Sequence, residues 1–197
     1  DKIAKTPEDR FLLAKLWDKI TGAIRISSPS SSSSTFPKIS SSTDFACRVC
    51  AAEAVVVPPA VLREGGGAEW DALSARVAGA LAEERDVLVS IGLDEGVDLS
   101  RGAALAEGLA ALLRPAGLAM GALFATGGET ARALLGGLGV TALRMAEEVE
   151  PGVPLAFTRG AFVVPVVTKA GGFGNSETIA RAHRRLRAML QGKEAPP

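Results

Sequence analysis

Histidine is almost missing from the chain, with His183 the only one in 197 residues, and tyrosine is absent altogether. A Ser-His-Asp triad or a multi-histidine metal centre would have to be built around that single imidazole. It stands among the arginines of "ARAHRRLRAML" with no partner in reach of the local sequence, so we read it as a helix-face histidine and the arginines as a solvated face. Cysteine is limited to Cys47 and Cys50, a lone CxxC with no second pair, which fits reduced thiols in a linker better than a zinc or redox site. Charge of one sign is not in excess: 22 basic residues balance 22 acidic ones, so nothing pulls the whole molecule toward nucleic acid or an anionic membrane. Any bound anion must be held locally. No apolar run approaches the ~20 residues that a spanning helix needs. Several named motifs are missing too: there is no GxxxxGK[ST], no GxGxxG and no GxSxG, which counts against a P-loop NTPase, an ordinary dinucleotide fingerprint and a nucleophile elbow.

What is present is an aliphatic palette. Apolar residues make up 47% of the chain while aromatics make up 5%, the balance expected of helices packed on a buried parallel sheet. Residues 1–26 read as an appended amphipathic helix. Thr6-Pro7-Glu8-Asp9 supplies a helix start, and Leu13, Leu16, Trp17, Ile20 and Ile24 recur at three- and four-residue steps. The apolar stripe over 7–24 would dock a protein partner. Residues 27–50, "SSPSSSSSTFPKISSSTDF" with the CxxC, read as a flexible serine-rich linker. From residue 51 to 190 strands and helices alternate: "AEAVVV", "GAEWDALSARVAGALAEE", "DVLVSIG", "SRGAALAEGLAALLRPAG", "LAMGALFAT", "ETARALLGGLG". Short extended pieces around "ALRMAE", "PLAFT" and "AFVVPVVT" follow, then the helix "SETIARAHRRLRAML" and a tail at 191–197. The fold class is α/β, an open, mostly parallel sheet with flanking helices in a Rossmann-like three-layer arrangement. One edge departs from strict alternation near Pro151-Gly152, where an antiparallel strand is expected.

In such a sheet ligands collect at the carboxyl ends of the strands. Two turns there carry glycine. In "LFATGGETARALL" the strand runs into Thr126, Gly127, Gly128, Glu129 and Thr130, and a helix starts at once, aiming free N–H groups and partial positive charge at the turn. In "VVTKAGGFGNSET", residues 166–178, a β-branched run delivers Lys169 and then Gly171, Gly172 and Gly174, with Asn175 or Ser176 placed to cap the last helix. A single glycine turn is ordinary. Two of them at strand ends of one sheet point to a phosphate-bearing ligand.

"ATGGETARALLGGLGVTALRMAEEVEPGVPLAF" followed by "PVVTKAGGFGNSETI" resembles the C-terminal nucleotide-binding domain of the four-carbon acid sugar kinases, once catalogued only as a domain of unknown function. The order TGGETA, EVEPGVP, TKAGGFG is more specific than any one of the three, and the likeness runs from about residue 51 to 190. It implies a phosphotransferase acting on an alcohol, with ATP and Mg2+ as cofactors and threonate, erythronate or 3-oxotetronate as the kind of substrate; the location is read as cytoplasmic, with the serine-rich tract leaving an organellar one open. By motif it implies nucleotide contacts at Gly127, Gly128, Glu129, Thr130, Lys169, Gly171, Gly172 and Gly174. A family member carries a sugar-acid domain ahead of this one, where this sequence has a helix and a serine-rich tract. The expectation is therefore a fragment with little activity alone, which would phosphorylate a four-carbon acid only when a substrate domain is supplied. The alternatives are a catalytically inactive nucleotide-binding or regulatory module, and an unrelated segment joined at residues 1–50.

Overall fold

The computed structural model describes residues 11–15, 52–92, 102–170, 172–175 and 177–192. Seven strands form one sheet: β1 (Phe11–Lys15), β2 (Glu53–Val57), β3 (Val87–Ile91), β4 (Ala122–Thr126), β5 (Val140–Glu150), β6 (Val153–Gly160) and β7 (Pro165–Lys169). Their order is β2-β3-β1-β4-β7-β6-β5. The first five are mutually parallel, while β6 pairs antiparallel with both β7 and β5. The open, mostly parallel α/β sheet expected from the alternation is therefore present, with its departure at the edge where Pro151-Gly152 makes a two-residue hairpin turn. Proline fixes φ at the first turn position and Gly152 takes φ +77 at the second, the pairing a type II turn requires.

Strands β3, β4 and β7 are short β-branched or aliphatic runs because both of their faces are covered, whereas the eleven-residue β5 at the sheet's edge is largely exposed. Alternation along each strand divides the core in two. Val87, Val89 and Ile91 of β3, Leu123 and Ala125 of β4 and Val166 of β7 join one cluster. That cluster packs against helices α1 (Pro59–Glu64), α2 (Ala68–Ala82), α3 (Gly102–Leu113) and α4 (Gly128–Gly137). Leu88, Phe124, Val167, Leu155 and Phe157 face the other way and meet Ile179, Ala182 and Leu186 of helix α5 (Thr178–Leu190). Each fully buried aliphatic or aromatic side chain contributes roughly 1.5–3 kcal/mol, so the sheet is held from both sides. Helix α1 was not expected from apolar periodicity; its signals are Pro59 in the first turn and Gly65, left-handed at φ 69, just past the end.

One expectation is corrected. Residues 11–15, read as part of an amphipathic helix, form β1 and lie between β3 and β4, paired in parallel with both. "FLLA" is a continuous apolar run, which a buried central strand accommodates as well as a helix face does. Two sheet edges with unpaired backbone groups decide the matter, because a strand between them satisfies both ladders at once. The rest of the expected helix, the serine-rich linker, and Cys47 and Cys50 lie outside the described residues.

Candidate functional site

The two glycine turns leave from neighbouring parallel strands. Thr126 at the end of β4 is in register with Lys169 at the end of β7, and the Gly127 N–H continues that ladder by donating to the Lys169 carbonyl at 2.8 Å. The Gly127 amide is thus committed to the sheet. Its φ of +94 turns the chain, and its carbonyl accepts the first helical bond of α4 from Ala131 N–H at 2.9 Å. The amides of Gly128, Glu129 and Thr130 then stand in the first turn, where no intrahelical acceptor exists for them. Gly128 is exposed, and a β-carbon there would meet nothing within 4 Å.

Thr130 is fully buried, and its hydroxyl has no hydrogen-bond partner among the described residues. An unsatisfied buried hydroxyl costs about 1–3 kcal/mol, so a polar group arriving at this turn would have something to gain from it. Glu129 is different. Its side chain is exposed and lies 3.5 Å from Arg132, which also approaches Glu107 at 3.7 Å. A carboxylate in the first turn favours the helix dipole wherever its side chain points.

On the β7 side, Lys169 Nζ donates to the Ala170 carbonyl at 3.2 Å. Gly171 lies outside the described residues. Gly172 is exposed with open space where a β-carbon would sit, as at Gly128. Gly174 has a structural reason of its own: at φ +76, a β-carbon would come within 2.3 Å of Thr178 Oγ1 and 2.7 Å of Glu150 Oε1. The end of the loop is tied by side chains. Asn175 Oδ1 accepts the Glu177 N–H at 2.9 Å, and the Asn175 N–H donates to Thr178 Oγ1 at 2.7 Å. The capping role expected of Asn175 or Ser176 is not taken up by Asn175: the N-cap position falls on Glu177 without a side-chain cap bond, and Asn175 instead closes an Asx turn onto the Glu177 N–H, while Ser176 lies outside the described residues.

Sequence reasoning missed Glu150. The Thr178 hydroxyl donates to Glu150 Oε1, and Arg181 Nε donates to Glu150 Oε2 at 2.8 Å. The Thr178 hydroxyl, Arg181 and the charge of Lys169 together hold the Glu150 carboxyl below the usual carboxylate range, outweighing the opposing effect of burial. Nothing local in "EVEPGVP" says that its hairpin tip meets a loop beginning twenty residues later. Lys15 was missed for another reason, the helical reading of its segment: by register it ends β1 beside both Ser90 and Thr126, on the same edge of the sheet.

His183 belongs to the opposite edge. Its Nε2–H donates to Asp86 Oδ2 at 2.6 Å, and Arg187 Nη2 lies 2.7 Å from Asp86 Oδ1. Asp86 is buried at the amino end of β3, so this cluster fastens α5 to the sheet far from the glycine turns. Of the four arginines of α5 only Arg184 is exposed as expected; Arg181, Arg185 and Arg187 instead pair with Glu150, Glu147 and Asp86. Among the described residues no group of three or more metal-ligating side chains occurs. No helix there is long and apolar enough to cross a membrane.

Known proteins resemble this chain in the same region. A family model described as a nucleotide-binding C-terminal domain matches residues 46–179. A D-threonate kinase of Cupriavidus necator is 47% identical over 138 residues, which are 68% of this chain and 33% of that protein. A 3-oxo-tetronate kinase of Pseudomonas savastanoi pv. phaseolicola is 37% identical over 60 residues, 30% of this chain and 14% of that protein. Among solved structures, a protein of Bordetella bronchiseptica, described as a domain of unknown function with bound citrate in a domain-swapped dimer, superposes with a TM-score of 0.62 at 25% identity. The superposition covers 90% of this chain and 41% of that one. The chain spans about a third of the length of the D-threonate kinase that it matches.

Proposed function

The chain belongs to the nucleotide-binding C-terminal domain family, and from that premise we propose that it is the ATP-holding part of a kinase for four-carbon sugar acids. The observation that carries the proposal is the adjacency of the two glycine turns, joined by the Gly127-to-Lys169 hydrogen bond. Helix α4 offers first-turn amides and partial positive charge from one side, and bare glycine backbone with Lys169 stands on the other. The open space at Gly128 and Gly172 suits the close approach of phosphate oxygens, and the unpartnered Thr130 hydroxyl suits a polar ligand.

In this reading Gly128, Glu129 and Thr130 act through their backbone amides, Gly172 through the absence of a side chain, and Lys169 through its charge. When bound, Mg-ATP supplies the phosphoryl group and the metal charge that neutralises it, and magnesium arrives largely on phosphate oxygens rather than in a protein cage. The protein's share is to hold and orient the phosphates in a cytoplasmic enzyme. The acceptor, a hydroxyl of threonate, erythronate or 3-oxotetronate, would be held by a separate sugar-acid domain, and positioning both reactants is most of phosphoryl-transfer catalysis.

Calorimetric titration with Mg-ATP tests the proposal. Gly128→Val places its side chain in open space at an ordinary helical position, so the unfolding midpoint should hold while affinity falls by about tenfold or more from crowding of the phosphate path. Absence of heat with the wild-type chain, or equal affinity in the variant, would defeat the reading. Adding, in trans, the part of a D-threonate kinase that this chain does not match tests transfer itself, since phosphorylated acid appears only if this chain can serve in it.

A further inference from the structure

The tip of the β5–β6 hairpin touches the second glycine loop at two places. Phe173 lies against the hairpin turn so closely that a β-carbon on Gly152 would come within 2.2 Å of its ring. Two residues earlier, Glu150 receives the Thr178 hydroxyl proton and the Arg181 guanidinium. We infer that Glu150 is a positioning residue for the nucleotide, acting through Thr178 and Arg181 to hold the glycine loop after β7 in its binding shape. The inference rests on the nucleotide-binding reading above.

The chemistry of the Thr178 hydroxyl makes the link directional. Its one proton is committed to Glu150, which leaves a lone pair for the Asn175 N–H at 2.7 Å. Arg181 bridges the same two partners, with Nη2 donating to Asn175 Oδ1 at 2.9 Å while Nε holds Glu150. Gly174 packs directly beneath the Glu150–Thr178 pair. Every tie that Glu150 makes thus ends on the loop or on the first turn of the helix it feeds. Fixing a residue's backbone costs conformational entropy, and glycine loses the most freedom. A loop already held at Phe173, Gly174 and Asn175 has less ordering left to do when a ligand arrives.

Glu147 provides the contrast. It sits on the same strand and pairs with Arg185 of the same helix, yet none of its described contacts reaches the loop. If Glu150 served only to fasten α5 to the hairpin, the two carboxylates would be equivalent.

The experiment compares Glu150→Ala, Glu150→Gln and Glu147→Ala in the full chain, by Mg-ATP calorimetry and by amide hydrogen exchange over residues 172–177 without nucleotide. Glu150→Ala should speed exchange at Asn175 and weaken Mg-ATP by about tenfold, the scale of losing charge-assisted hydrogen bonds. Glu150→Gln should fall between, because its amide oxygen still accepts from Thr178 but offers Arg181 no charge. Glu147→Ala should leave loop exchange unchanged and affinity within about twofold. Should Glu150→Ala unfold the domain, Glu150→Gln carries the comparison. Wild-type affinity and exchange in the Glu150 variants, or an equal loss in Glu147→Ala, overturn the inference. Silence of the wild-type chain toward Mg-ATP defeats the nucleotide reading instead, and the exchange measurement then still decides whether Glu150 holds the loop.

Discussion

Thr130 carries a buried hydroxyl with no partner among the described residues, which makes the effects of removing it and of using it opposite in sign. Thr130→Val keeps the shape and deletes the unsatisfied group, so the nucleotide-free domain should be unchanged or about 1 kcal/mol more stable in urea unfolding. Affinity for Mg-ATP should fall by about tenfold if the hydroxyl meets the ligand. A destabilised apo domain would show that the hydroxyl already has a partner. Gly128 and Gly174 illustrate how much of the site was legible at this scale. Both were singled out as turn glycines, but only the structure separates the one that leaves space open from the one packed beneath Glu150 and Thr178. A glycine in a sequence states that a side chain is missing; what would have filled its place comes from a distant segment.

Helix α5 shows the same division at the scale of an element. Its apolar positions Ile179, Ala182 and Leu186 are readable from periodicity and do face the sheet. Three of its arginines were not readable, because their partners Glu147, Glu150 and Asp86 lie on two other strands or their ends, tens of residues away. The pair to Glu150 carries a pH signature. The Glu150 carboxyl is depressed by the Thr178 hydroxyl first, and by Arg181 and Lys169 after it. A group with a lowered folded-state pKa stabilises the fold fully above its unfolded value of about 4.3, and the contribution disappears as pH falls through the folded value. Urea midpoints measured from pH 7 down to pH 3 should therefore show the wild-type advantage over Glu150→Gln shrinking on acidification below about pH 5. A constant difference across that range would mean that the carboxylate is not held by its partners.

At the scale of the molecule, β1 is the decisive element. It lies between β3 and β4, so the sheet is not continuous without it. Proline in a central strand removes a ladder donor and is tolerated essentially only at edges. Leu13→Pro should consequently lower the stability of the whole domain by about 3 kcal/mol or more, read as a shifted urea transition of residues far away in β4 and β7. An appended helix at that position would leave that transition where it is. The register also sets Lys15 beside Thr126, so the segment that completes the sheet ends on the edge where the two glycine turns begin.

By itself the sequence determined the strand and helix alternation, the parallel character of the sheet, the two glycine turns and the family likeness. All of these depend on local composition and spacing, on β-branched runs, on capping residues and on motif order. Tertiary structure decided what depends on neighbours remote in sequence. It made Phe11–Lys15 a strand by offering two unsatisfied edges, brought the two turns onto adjacent strands, and gave the arginines of α5 their carboxylates. Hydrogen-bond ladders and ion pairs form across space, and their partners are chosen only once the chain has packed.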